Sequence, residues 1–151
     1  MGVDRTEGKL FRKILVATDG SENAAKAASY GANIAKSTGA EVHALYVIST
    51  KNAVTTRTVK GWTDSFEEGL AKRGRAAVAY VEEIGREVGV KVKPVLEKGI
   101  PAEIILNYSE GNAIDLIVMG THGLTGIKKF LIGSVSENVL RHSKIPVIVI
   151  R

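Results

Sequence analysis

The residues best suited to chemistry lie between positions 119 and 138, in the stretch MGTHGLTGIKKFLIGSVSEN. They follow an apolar run at 114–119 (IDLIVM) that has the character of an interior parallel strand. Glycine has no β-carbon, so at Gly120 and Gly123 the backbone can lie directly against a ligand. Ser134 and Glu137 have the S-x-x-E spacing of a capping box, which predicts a helix beginning at Ser134 with its amide donors and positive dipole end exposed. Such an end favours phosphate. A second turn, Asp19-Gly20-Ser21, closes another apolar run at 13–19 (KILVATD).

The elements that must position these turns alternate in type. After the first strand, Ala24, Ala27, Ala28, Gly31, Ile34 and Ala35 form a helical stripe of mostly small side chains, ended by Gly39. Residues 42–48 (VHALYVI) are an uncharged interior strand, and the polar stretch 50–61 beyond it is placed to cover a ligand. A long helix starts near Trp62, which reads as a packing anchor; it carries Leu70, Gly74, Ala77, Val78, Val81, Ile84 and Val88 and closes at Gly89. Residues 91–97 (KVKPVLE) mix polar and apolar types around Pro94, the mark of an edge strand. A helix from Pro101 to near Gly111 presents Ile104, Ile105 and Tyr108, and residues 145–151 (IPVIVIR) supply the fifth strand.

Strands alternating with helices predict an α/β fold, a three-layer open sandwich with a five-stranded parallel sheet and helices on both faces. A wholly apolar second strand belongs inside and a strand with Pro94 and two lysines belongs at an edge, which favours order 3-2-1-4-5 over 2-1-3-4-5. The switch point then falls between strands one and four. Open α/β sheets bind ligands there, so Asp19 and Gly120 are brought to one crevice by topology.

The spacing G-x2-G-x9-G-S directly after a buried strand, with DG-S after the first, resembles the nucleotide-binding signature of the universal stress protein family. The resemblance covers residues 13–151 as a single domain, with 1–12 as an N-terminal extension, and implies the same strand order. It implies ATP or AMP as ligand, with Ala17, Asp19 and Val47 lining the adenine and ribose part and Met119 beside them. Gly120 and Gly123 would let amides approach the phosphates, Gly133, Ser134 and Val135 would offer amides at the helix start, and the Ser134 or Ser136 hydroxyl could donate. Asp19 has a rival role, because Asp19 and Glu22 also have capping-box spacing. His122 fits either a phosphate contact or the loop surface, while Lys128 and Lys129 read as solvated. His43 reads as a satisfied core side chain and His142 as exposed. Three isolated histidines make no metal site, and any Mg²⁺ is expected on phosphates and water.

Composition narrows the function classes. A chain of 151 residues, 44% hydrophobic and 25% charged, is one domain by length. It has no cysteine, which removes disulfides and thiolate chemistry and fits the cytoplasm. No apolar run is long enough for a membrane span or a signal peptide. The net charge of +5 is spread among acids with 5% aromatics, so neither DNA nor RNA is an expected partner. The myristoylation pattern at Met1, Gly2 and Thr6 lacks a polybasic neighbour, and the sequon Asn107-Tyr108-Ser109 lies in a predicted helix; both are discounted.

No Walker A, G-x-G-x-x-G or G-x-S-x-G sequence is present, and TDGSENA does not match the SGG-type loop of ATP pyrophosphatases. The expected function is therefore a nucleotide-binding regulatory or stress-response protein with at most slow ATP hydrolysis. The alternative is a partner-interaction module that binds no nucleotide. The unblunted edge sequence at 147–150 (VIVI) predicts a homodimer through residues 146–151, which the family resemblance also implies.

Overall fold

The computed structural model describes residues 10–50, 64–122 and 132–151. Among them, strands and helices alternate: β1 (Lys13–Ala17), α1 (Glu22–Thr38), β2 (Glu41–Ser49), α2 (Asp64–Val88), β3 (Val92–Gly99), α3 (Pro101–Gly111), β4 (Leu116–Gly120), α4 (Ser134–His142) and β5 (Val147–Ile150). The sheet is parallel throughout, in the order β3-β2-β1-β4-β5. The edge and interior assignments read from Pro94 and the apolar second strand therefore hold.

Side chains alternate across the sheet because successive residues of a strand point to opposite faces. On one face, Ile14, Val16, Val42, Ala44, Leu116 and Val118 form a core with Ala27, Ala28 and Ala35 of α1 and Val78 and Val81 of α2. On the other, Leu15, Leu45, Ile117 and Met119 pack with Ala102 and Ile105 of α3 and Val139 of α4. The alanine stripe lets α1 lie close to the sheet: a β-carbon on Gly31 would stand 2.6 Å from Val16 Cγ2. Among the described residues 23 apolar side chains are buried, and at roughly 1.5–3 kcal/mol each for the larger ones their burial is the main driving force for this arrangement.

Polar groups inside the sandwich are paired. His43 is 2% exposed, its Nδ1 is 2.8 Å from the Tyr108 hydroxyl and its Nε2 is 2.9 Å from Glu41 Oε1, so it joins β2 to α3. The ring bond holds the Glu41 carboxyl below its usual value, and burial pushes the Tyr108 hydroxyl up. Asp115 Oδ2 accepts the backbone N–H groups of Arg12 and Lys13 at 2.7 and 2.9 Å, fixing the start of β1 beside β4. His142 is exposed, as expected, with Nδ1 3.0 Å from the Asn138 carbonyl. Asn107, Tyr108 and Ser109 do lie within α3, where Ser109 is buried and donates to the Ile105 carbonyl. Among the described residues, no helix is long and apolar enough to cross a membrane.

Candidate functional site

At the carboxyl ends of the strands, where β1 and β4 lie side by side, a cavity of about 640 Å³ opens. Its apolar wall is continuous with the second core and is made by Ala17, Leu45, Val47, Ile105, Met119 and Val135. Much of its polar lining comes from the two strand exits: Thr18 and Asp19 after β1, and Gly120, His122, Gly133, Ser134 and Ser136 around the end of β4 and the start of α4. A volume of this size fits a small-molecule ligand. Every site residue named from the sequence lines this cavity except Gly123, which lies outside the described residues, as do Lys128, Lys129, Trp62 and the stretch 51–61.

The first exit is a compact turn. Thr18 N–H donates to the Leu45 carbonyl at 2.9 Å, Thr18 Oγ1 accepts from Gly20 N–H at 3.1 Å, and Asp19 Oδ1 accepts from Ser21 N–H at 2.9 Å. Ser21, not Asp19, caps α1. Its backbone is extended, its carbonyl accepts the first helical bond from Ala25 at 3.0 Å, and its Oγ accepts from Ala24 N–H at 3.1 Å. The Asp19–Glu22 capping box is thus corrected to a Ser21 cap, and the Asp19 side chain is left beside the cavity as part of the turn.

The second exit also differs from expectation in one respect. Gly133, not Ser134, occupies the cap position of α4, with extended backbone and with its carbonyl accepting from Glu137 N–H at 2.9 Å. Ser134 is the first helical residue, so the Ser134–Glu137 capping box is not formed. Shifting the cap onto a glycine has a chemical consequence: the cap residue makes no side-chain hydrogen bond to the helix start. Helix geometry leaves the amides of Ser134, Val135 and Ser136 without intrahelical acceptors, and all three residues line the cavity. A β-carbon on Gly133 would stand 3.0 Å from the Thr121 carbonyl oxygen, which already accepts the Gly133 N–H, so any side chain here would press on that backbone.

Ser136 is buried and donates its hydroxyl proton to the Gly120 carbonyl at 2.6 Å. Its hydroxyl therefore clamps the end of β4 to α4, so of the two serines to which the resemblance gives a donor role, Ser136 spends its proton on backbone. His122 is half-buried at the cavity, with Nδ1 2.9 Å from Thr121 Oγ1. His122 is among the residues that line the cavity.

Several lining residues were not named from the sequence. Tyr46, Ile48 and Ser49 flank Val47 on β2, Phe66 and Leu70 come from α2, and Pro101 begins α3. Only packing of separate elements identifies them, although the period-two alternation of β2 could have pointed to Leu45 beside Val47. Burial, with the Asp19 carboxylate as a smaller contribution, pushes the Tyr46 hydroxyl pKa up. Among the described residues, no three His, Cys, Asp or Glu side chains are grouped so as to hold a metal ion.

The sequence model of the universal stress protein family matches residues 10–151. The chain belongs to that family. It is 37% identical to universal stress protein MJ0531 of Methanocaldococcus jannaschii over 97% of this chain and 86% of that protein. Among solved structures, that of MJ0577 from the same organism aligns with a TM-score of 0.80 and 32% identity, covering 93% of this chain and 96% of that one. Two further universal stress protein structures share the fold at lower identity. One, in complex with cAMP, has a TM-score of 0.67 and 23% identity over 92% of this chain and 95% of that one. The other, from Archaeoglobus fulgidus in complex with dAMP, has a TM-score of 0.66 and 20% identity over 94% and 99%.

Proposed function

We propose that this universal stress protein binds an adenine nucleotide, ATP or AMP, in the cavity between β1 and β4, and acts by regulation more than by catalysis. The observation that carries this reading is the start of α4, which has no side-chain cap hydrogen bond and whose first three residues line a cavity of about 640 Å³ beside an apolar wall. Amide donors at a helix N-terminus suit phosphate, and an apolar slot suits a purine ring. The cAMP and dAMP complexes of proteins with this fold support the adenine class.

In this reading Ala17, Val47 and Met119 flank the base and ribose with Asp19, and Gly120, His122 and the amides after Gly133 face the phosphates. Mg²⁺ accompanying ATP would be held through phosphate oxygens and water. The polar side chains of the site are used to hold backbone, Asp19 at Ser21 and Ser136 at Gly120, which favours binding with at most slow hydrolysis. The same reading includes a cytoplasmic homodimer in which strand β5 pairs antiparallel with its copy about a two-fold axis, because β5 is an edge of four consecutive β-formers.

The direct test is to denature freshly purified protein and analyse the supernatant by anion-exchange chromatography with mass detection. Bound adenine nucleotide is the expected result. Protein that releases none, and whose melting temperature does not rise with added ATP or AMP, contradicts the proposal, since a ligand at 100 times its Kd stabilises the native state by about 2.7 kcal/mol.

A further inference from the structure

The point where the chain leaves β4 is held by a side chain that does not itself line the cavity. Asn23 sits in the first turn of α1, half-buried, and bridges two other elements. Its Nδ2 donates to the Ile150 carbonyl at the end of β5 at 3.1 Å, and its Oδ1 accepts the backbone N–H of His122 at 3.2 Å. The same Ile150 carbonyl accepts from Thr121 N–H at 2.9 Å. A β-carbon on Gly120 would run into Asn23 Oδ1, so the amide fills the space that this glycine leaves. From the opposite side, Ser136 Oγ donates to the Gly120 carbonyl and Gly133 N–H donates to the Thr121 carbonyl.

Gly120 is therefore tied to α4, Thr121 to β5 and to the cap of α4, and His122 to α1 through Asn23. We propose that Asn23 is a positioning residue for phosphate binding: it sets the direction in which the chain leaves β4, so that His122 and the amides of α4 face the same space. This rests on the nucleotide reading above. An asparagine amide suits the task because it donates and accepts at once, satisfying one carbonyl and one N–H with a single planar group.

Phosphate-specific loss distinguishes positioning from general support. Asn23→Ala removes both bonds while placing a better helix former in α1, so the fold should remain, as circular dichroism and thermal melting will show. Losing a hydrogen bond of typical net strength corresponds to about a tenfold loss of affinity at most, and that is the fall expected for ATP by calorimetry. Adenosine, followed by ligand-observed NMR, should bind N23A as it binds the wild type. Gly120→Ala, which forces the Asn23 amide out of its place, should show the same selective loss, and the double variant should be little worse than Gly120→Ala alone because the two act on one contact. Should N23A not fold, Asn23→Ser, whose shorter side chain cannot span both the Ile150 carbonyl and the His122 N–H, carries the same ATP-over-adenosine test. Equal ATP affinity in N23A and wild type, equal losses for ATP and adenosine, or losses that multiply in the double variant would each overturn the positioning role. A wild-type chain that binds neither ligand overturns the nucleotide reading, and this role with it.

Discussion

Ser136 and Gly133 show what residue type reveals and what it conceals. Both could be picked out from the sequence as belonging to a phosphate site, and both line the cavity. Their tasks could not be read, because a serine hydroxyl offered to a ligand and one donated to a carbonyl 16 residues away look alike in a string of letters. The cap shifted by one residue for a similar reason: S-x-x-E spacing is satisfied on paper, but the close approach of Gly133 to Thr121 decides where the helix begins. Gly133→Val places branched carbon against backbone that cannot move aside cheaply, so it should weaken ATP binding at least about tenfold, or roughly 1.4 kcal/mol, with native circular dichroism. Calorimetry on the folded variant checks this, and unchanged affinity would remove the start of α4 from the site.

Away from the cavity, the bond from His43 lowers the pKa of Glu41 from 4.5, so ionised Glu41 favours the folded state. That contribution is present above the unfolded value and is lost as pH falls through the lower folded value. Urea unfolding from about pH 6 to pH 3 should therefore show Glu41→Gln less stable than wild type at the upper end and the difference shrinking in acid. A difference that grows as the pH falls would contradict the assignment.

At the scale of elements, periodicity and punctuation carried most of the fold. The alanine stripe of α1, the glycines that end α1 and α2, and Pro94 on β3 each stand where their local chemistry requires. Less legible was which elements close the cavity: Phe66 and Leu70 belong to a helix whose pattern announces only a core-facing stripe. Asn23 was invisible for the same reason, since its partners are 99 and 127 residues away.

Strand β5 is where an element makes a prediction of its own. The carbonyls of Pro146 and Ile150 accept from Ile117 and Thr121 of the β4 side, at 3.0 and 2.9 Å, so by period two the backbone groups of Val147 and Val149 face away from β4. Val149→Pro removes one outward donor without touching the β4 ladder, and edge strands tolerate proline. The proposed dimer should shift toward monomer in light scattering while the melting profile stays cooperative. A wild-type monomer at micromolar concentration, or a V149P dimer as tight as wild type, would count against pairing through β5.

On the scale of the whole molecule, the order β3-β2-β1-β4-β5 does the decisive work, because it sets the end of β1 beside the end of β4 and so brings Asp19 to the glycines and amides after Met119. Residues about 100 positions apart in sequence share one crevice only because the chain reverses its direction of travel across the sheet there. The net charge of +5 adds a mild attraction for an anionic ligand, which salt should screen without abolishing binding.

The measurement that tests this most directly is a calorimetric titration of nucleotide-free protein with ATP. Saturable binding at one nucleotide per chain, competed by AMP, is the predicted result. No saturable binding at about 1 mM ATP would place the free energy above roughly −4 kcal/mol and contradict the assignment of the crevice as a nucleotide site.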